Sequence, residues 1–304
     1  MKVLITGNLG FVGQETQRLL ESEGHEVIGY DIMDGRDIRR EIHLAERPDR
    51  ILHLAAITRF EDADGDPKLA FETNVLGTRN VLRYAANYSI PMIYASTGSV
   101  YMPIKLDPPI TEEFPARGNS VYGCTKYVAE LYTAEHSPHI ILRYAHLYGR
   151  EKRGHGLIGG FLDRINRGMA PTLYGGKQGN DFTYVKDVAM ANYLALTASW
   201  DKWNQVYNIG TGEELSAEEA GTIVCEMAGY HGEIERIEQR AVDASRFVFD
   251  ISKARKMLRY EPQYSFREGL RDMFAGDGAM AESAKRICEG QGVVQEETPS
   301  ASNS

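Results

Sequence analysis

Tyr122 and Lys126, in the stretch YGCTK, are the residues whose types and spacing most directly suggest chemistry. Four residues make about one helical turn, so phenol and ammonium share a face. An ammonium beside a phenol favours the phenolate, bringing a group with an ordinary pKa of ~10 within reach of base chemistry. Such a tyrosine takes a proton from an alcohol while hydride leaves the same carbon. The YxxxK spacing occurs three times, at Tyr101/Lys105, Tyr122/Lys126 and Tyr148/Lys152. Pro103 interrupts the first and Gly149 the third, so neither suits a regular helical turn. Upstream, YASTGSVY (94–101) places the Ser96 and Thr97 hydroxyls where a strand ends. A hydroxyl there can donate to a developing alkoxide or carbonyl oxygen. Taken singly, these are an amphipathic surface pair and a Ser/Thr turn; together with the elements that precede them, they read as a site.

Hydride needs an acceptor, and the first stretch of the chain, MKVLITGNLGFVG, is built to hold one. Residues 2–6 are a β-branched apolar run, a buried strand by composition. Gly7, Gly10 and Gly13 follow, and residues 14–20 take up a helical period. Strand, glycine turn and helix present free backbone N–H groups and a positive helix end to a phosphate. Gly7 permits the turn, Gly10 lets a pyrophosphate approach the backbone, and Gly13 lets the helix sit close to the sheet. The second strand, Glu26 to Tyr30, ends in Asp31, where a carboxylate accepts the hydroxyls of an adenosine ribose and repels a 2′-phosphate. NAD is therefore expected over NADP.

Further strands are expected at Arg50–Ala55, 91–96 and His139–Arg143, with helices over Leu69–Tyr88 and Asn119–Glu135 and a charged loop between Ala55 and Leu69. Alternating strands and helices predict an α/β fold, a Rossmann-type doubly wound parallel sheet, over residues 1–143. Beyond Tyr144 the rhythm breaks. Residues 144–180 and 205–274 are expected to form a smaller C-terminal α/β substrate domain, with a segment near 181–204 returning to the sheet. Beyond Tyr144, helices are expected at Phe161–Arg167, Asp187–Thr197 and from Ser216, an N-cap whose capping box is completed by Glu219, to Ala228. Residues 275–304 are polar, rich in small residues and without period, as a disordered tail would be.

At 304 residues the chain has room for about two domains. A net charge of −9 argues against nucleic acid or an acidic membrane surface as a partner. Three scattered cysteines suggest neither a disulfide framework nor a metal cluster. With no signal peptide and no apolar run of spanning length, a cytoplasmic setting is expected.

With these features in hand, the chain resembles the extended short-chain dehydrogenase/reductases, in particular the NAD-dependent nucleotide-sugar epimerase/dehydratase family. HLAA (53–56), TNVLGTRNVL (73–82), LRYAHLYG (142–149), DFTYVKDVA (181–189), YNIGTGEELSAEE (207–219) and DISKARKMLRYEP (250–262) carry the likeness to about residue 273. The resemblance implies that Thr97, Tyr122 and Lys126 are the catalytic set and that Lys126 also holds the nicotinamide ribose. It implies that Gly7, Gly10, Phe11, Val12, Gly13, Asp31, Leu54, Ala55 and Ala56 bind NAD. A nucleotide-diphosphate sugar would contact Ser96, Thr97, His146, Asn180 and Arg240, with Arg150, Lys152 and Arg153 as local candidates.

Three departures stand out. Family 4,6-dehydratases follow the threonine with Asp and Glu, and here Gly98 and Ser99 stand in those places. His146 replaces a frequent Asn, and Asn180 a common Arg. The resemblance therefore implies an epimerase acting at C4 through a transient 4-keto sugar. A 4-keto-sugar reductase or an atypical dehydratase is the alternative, and a non-catalytic NAD-binding sensor is the alternative of another class. Family members commonly pair through the helices at 69–88 and 119–136, so a homodimer is expected, with Tyr84, Tyr88 and Tyr132 off the main apolar stripe.

Overall fold

The computed structural model describes residues 1–101, 109–118, 120–150, 156–238 and 246–275. Five strands, β1 (Lys2–Thr6), β2 (Glu26–Tyr30), β3 (Arg50–His53), β4 (Met92–Thr97) and β5 (His139–Tyr144), join the strand Gln205–Ile209 in one parallel sheet. Across the sheet the order is β2, β1, β3, β4, β5 and Gln205–Ile209. The chain reverses direction across the sheet between β1 and β3, and the crevice beyond their carboxyl ends is where such a sheet binds its ligand. Thr6 stands opposite both Tyr30 and His53, so three strands end level. β3 stops opposite Tyr94, whereas β4 runs on to Thr97 beside Tyr144. The overhang carries the threonine into the crevice.

Parallel strands are covered on both faces, which is why these segments read as continuous apolar runs. Val3, Ile5, Leu52, Ile93, Ile140 and Leu142 enter one core; Leu4, Ile51, Met92, Tyr94 and Ile141 enter the other. The alternation is the two-residue period of a strand. Truncating one of these side chains to alanine costs about 2–5 kcal/mol. Helix α1 (Phe11–Ser22) and the helix Val185–Leu196 cover the first face. Asn192 ties them together, donating to Thr16 Oγ1 at 3.1 Å and accepting from the Tyr144 hydroxyl at 2.6 Å. Helices Thr78–Asn87 and Val121–Ala134 cover the second face.

The helix expected at 69–88 has more structure than its periodicity predicts. Asp66 caps it, accepting the Leu69 amide at 2.9 Å, Pro67 opens it, and a wider π turn at Glu72–Gly77 precedes Thr78–Asn87. Tyr84, expected off the stripe, is instead 9% exposed, its ring 4.8 Å from that of Tyr88. Phe71, Tyr88, Leu131 and Tyr132 are the exposed large side chains of these helices. The expected charged loop contains a short helix, Phe60–Gly65.

Gln205–Ile209 pairs with β5 along its whole length, so these residues belong to the sheet and not to the smaller half as the sequence predicts. That half is built of two- and three-residue strands. Gly179–Asn180 lies between Leu215–Ser216 and Arg246–Phe247, and His146–Tyr148 pairs with Phe182–Tyr184. Helices Gly156–Asn166, Ala217–Met227 and Phe266–Ala275 surround a core of Tyr148, Phe161, Leu173, Tyr184 and Leu270. The capping box forms: Ser216 Oγ accepts the Glu219 amide at 3.1 Å, and Glu219 accepts the Ser216 amide at 3.0 Å. Such a cap contributes about 1 kcal/mol. The expected tail, apart from Ala275 in the last helix, lies outside the described residues. No helix among the described residues is long and apolar enough to cross a membrane.

Candidate active site

The glycine turn joins β1 to α1 in the crevice. Gly7 adopts a positive φ of 75°, and a Cβ there would meet the Ala55 amide nitrogen at 2.8 Å. A Cβ on Gly13 would fall 2.1 Å from the Gly7 carbonyl oxygen. At Gly10 the only neighbour is that same oxygen, at 3.2 Å, and the rest is open space. The turn is thus closed towards the protein and open towards the crevice, the cradle a pyrophosphate requires. Gly10 caps α1 without a side-chain hydrogen bond, and no acidic residue occupies the first helical turn. A helix end with neither a side-chain cap nor an acid in its first turn favours an anion. The Phe11 side chain turns away, so that a Cβ on Gly149 would come within 2.9 Å of its ring.

Asp31, 6% exposed, accepts the Leu9 amide at 3.1 Å and the Met33 amide at 2.9 Å. Around this fixed carboxylate, Leu9, Ile32 and Met33 are exposed, Met33 to 80%. An anionic acceptor rimmed by apolar side chains suits a ribose with its base. The segment 54–56 crosses the glycine turn, held by Leu54 donating to the Thr6 carbonyl at 3.0 Å and by Ala55 donating to Thr6 Oγ1 at 3.3 Å. These residues fit NAD.

Of the three YxxxK tyrosines, two have their hydroxyls committed inside the protein. Tyr101 donates to Asn208 at 2.8 Å and Tyr148 to the Phe266 carbonyl at 3.2 Å. Lys105 and Lys152 lie outside the described residues. Tyr122 stands in the first turn of Val121–Ala134, capped by Ser120, whose Oγ accepts the Gly123 amide at 3.0 Å. Its hydroxyl has Thr97 beside it, and its ring meets Phe60 edge to face at 5.5 Å. Asn74, presented by the π turn, accepts the Ile57 amide at 2.8 Å and donates to the Ile57 carbonyl and to Thr125 at 2.9 and 3.0 Å. It thereby clamps the segment after β3 to the Tyr122 helix.

The electrostatics differ from those expected of a bare Tyr–Lys pair. Burial pushes the Tyr122 phenol up to about 12, with Thr97 easing its ionisation. Burial likewise draws the Lys126 ammonium down to about 7, opposed by Glu130. Lys126 points to the sheet, donating to the Ala95 carbonyl at 2.6 Å and lying 4.2 Å over the Tyr94 ring. A buried ammonium takes the strongest acceptor in reach, and Ala95 lies one residue past the last pairing with β3.

Ser96 is not in the crevice. It is 3% exposed and donates to the Glu130 carboxylate, because successive side chains of a strand alternate in direction and only Thr97 emerges at the end. A Cβ on Gly98 would lie 2.1 Å from Phe247 and 2.9 Å from Phe249. The Phe247 ring also meets His146 edge to face at 5.3 Å, so one aromatic wall joins the turn after β4 to His146. His146 is exposed at the strand beyond β5, its amide donating to the Asp181 carbonyl at 3.0 Å. Asn180 is half-buried and donates to the Gln178 carbonyl at 3.2 Å. Arg150 is exposed, whereas Arg240, Lys152 and Arg153 lie outside the described residues.

Three participants were not singled out from the sequence. Phe60 is an isolated aromatic among acids in RFEDADGDP, with too short a period to read. Glu130 could have been found eight residues after Tyr122, on the same helical face. Phe247 reaches Gly98 from 149 residues away, which no local pattern reveals.

Comparison with known proteins agrees with this geometry. Residues 3–210 match the model of the NAD dependent epimerase/dehydratase family. A putative UDP-glucose 4-epimerase of Methanocaldococcus jannaschii is 30% identical over 299 residues, covering 88% of this chain and 96% of that protein. The UDP-glucose 4-epimerase of Thermotoga maritima, solved with UDP-glucose, superposes with a TM-score of 0.83 at 29% identity, over 90% of this chain and 97% of the other. The dTDP-glucose 4,6-dehydratase DesIV of Streptomyces venezuelae, solved with NAD, gives 0.81 at 26% identity, over 92% and 98%. Cradle, carboxylate and family match converge: the chain belongs to the NAD-dependent epimerase/dehydratase family of enzymes, with NAD as its cofactor.

Proposed function

We propose that this enzyme inverts C4 of a nucleotide-diphosphate hexose, such as a UDP-hexose, through a transient 4-keto sugar. The observation that carries the reading is the pairing of Thr97 and Tyr122 beside a Gly98 whose side-chain space is filled by Phe247. Elimination of water across C5 and C6 needs an acid and a base next to the threonine. Here one place is closed by an aromatic ring and the other holds Ser99, whose amide donates to Thr97 Oγ1 at 3.2 Å.

Bound NAD supplies a hydride acceptor and donor beside the reacting carbon. Tyr122 takes the C4 hydroxyl proton, and Thr97 holds the same oxygen as it becomes a carbonyl. After the sugar turns its other face, Tyr122 returns the proton to that oxygen. We assign the cofactor ribose to Lys126, which also brings an ammonium to the helix face of the phenol. Gly7, Gly10 and the first amides of α1 hold the pyrophosphate, and Asp31 the adenosine ribose. We assign contact with the nucleotide sugar to His146, Asn180 and Arg240, as the sequence resemblance implies. Two copies pair through the exposed Tyr88, Leu131 and Tyr132 of the two helices on one sheet face; a single 34 kDa species in sedimentation at micromolar concentration would contradict this.

The test is incubation with UDP-glucose, UDP-galactose and UDP-glucuronate, followed by NMR and mass spectrometry. The expected product is the C4 epimer at unchanged mass, with no net change at 340 nm. A product lighter by one water would identify a dehydratase, and stoichiometric consumption of NADH a reductase. Tight NAD binding with no conversion of any sugar nucleotide would favour the sensor.

A further inference from the structure

Beneath the proton relay lies a buried ionic cluster that the relay does not itself use. Glu130 sits one helical turn beyond Lys126 and is 3% exposed. Arg143, from β5, donates to its carboxylate through Nε at 3.0 Å and Nη2 at 2.7 Å, and Ser96 adds its hydroxyl. Arg143 Nη1 goes on to Tyr101 at 2.7 Å, and Tyr101 donates to Asn208 at 2.8 Å. A two-pronged guanidinium and a hydroxyl leave the carboxylate one orientation.

Arg143 holds this carboxylate directly, and Lys126, one helical turn earlier on the same helix, lies within reach of its charge. Facing Lys126 are Tyr122 and Glu130 from its own helix, Tyr94 and the Ala95 carbonyl from β4, and His53 from β3. His53 is held neutral by burial, down to about 3, and bridges the Thr6 and Thr78 hydroxyls at 2.6 and 2.9 Å. Tyr94 is held neutral as well, its phenol raised by burial. Glu130 is therefore the one negative charge facing the lysine among the described residues. A buried ammonium without a counter-charge surrenders its proton.

We propose that Glu130 is a positioning residue for catalysis: fixed by Arg143 and Ser96, it gives Lys126 a stationary counter-charge, so that the lysine stays cationic beneath the cofactor ribose and the phenol. A purely structural ion pair would hold β5 to the helix and leave Lys126 indifferent to its loss. The catalytic consequence rests on the function proposed above; the ionisation of Lys126 does not.

The experiment is NMR of the full chain loaded with NAD and carrying 15N in its lysine side chains, following Lys126 Nζ with pH. Glu130→Gln lowers the proton affinity of Lys126 about tenfold, one pH unit. Arg143→Met, which removes the competing cation, raises it by a similar factor, and Glu130→Asp restores the midpoint. The alkaline limb of the pH–rate profile moves with the midpoint in each variant. Opposite shifts from the two halves of one ion pair are what a structural role would not produce. An unmoved midpoint in Glu130→Gln, or shifts in the same direction, overturns the proposal. Should Glu130→Gln not fold, Arg143→Met decides alone: a rise supports the proposal, and no change or a fall overturns it. A moved midpoint with no epimer formed would instead count against the C4 reading alone.

Discussion

The sheet half and the smaller half of this molecule hold their residues in place by different means. Around the glycine turn, positions are set by backbone: Gly7, Gly13 and Ala55 approach so closely that a single added carbon would collide with main-chain atoms. In the smaller half, positions are set by side-chain hydrogen bonds between residues far apart in sequence. Asp181 accepts the Thr211 and Gly212 amides at 2.8 and 3.0 Å, and Tyr184 donates to Asp272 at 2.7 Å. Backbone constraints cannot be exchanged one at a time, whereas side-chain hydrogen bonds can. We propose that chemistry is set on the sheet and specificity opposite it, where two of the departures seen in the sequence, His146 and Asn180, stand in short strands.

The sharpest way to break this division is at Tyr122, which joins the two halves' work. Tyr122→Phe is expected to lower turnover by at least ~10²–10⁴-fold while NAD affinity stays within about twofold, because the phenol acts on the sugar and the turn on the cofactor. Steady-state kinetics with NAD titration would check both parts, and near-full activity would return attention to the other tyrosines. The converse is Gly13→Ala, whose new Cβ would lie 2.1 Å from the Gly7 carbonyl and 2.7 Å from Asn8 Cα. Opening the turn by the needed amount should weaken NAD binding about a hundredfold, some 3 kcal/mol, by calorimetric titration.

A smaller effect probes how the sheet half is held. His53 is buried neutral, drawn down to about 3 from an ordinary ~6.5. A pKa lowered on folding means that the unfolded chain binds the proton first as pH falls. This contribution is complete above ~6.5 and declines at about 1.4 kcal/mol per pH unit below it, so His53 alone accounts for a loss of ~2 kcal/mol between pH 7 and pH 5, opposed by Asp187, whose carboxyl burial raises to about 6. Urea unfolding at both pH values should show His53→Gln lacking that contribution relative to the parent. Smallest is Asp31→Ala, expected to narrow the preference for NAD over NADP about tenfold in competitive binding. Tighter NADP binding by the unaltered protein would contradict the assignment of this carboxylate.

What the sequence made legible follows the same division. The five apolar strands, the glycine turn, Asp31, the capped Tyr122 helix and the Ser216 capping box are local patterns, and they stand in the fold where their spacing predicts. The short helix at Phe60–Gly65 and the π turn under Asn74 were not legible, since each depends on packing against the Tyr122 helix more than on period. Ser96 looked equivalent to Thr97 because a sequence does not show where a strand stops lying inside the sheet. Lys126 was expected to act directly on the phenol. Burial reverses the simple sign, and the carboxylate that compensates comes from a pairing between Glu130 and Arg143, 13 residues apart. Gln205–Ile209 was placed with the smaller half because its partner strand lies more than 60 residues earlier.

The central proposal is that one carbon, C4, both loses and regains hydride while the sugar nucleotide stays bound. The measurement that tests it most directly uses a UDP-hexose carrying deuterium at C4, converted in ordinary water and examined by NMR. The account predicts deuterium at C4 in both epimers at equilibrium, with none at C6 and none lost to solvent. Deuterium found at C6, or exchanged into water, would contradict it.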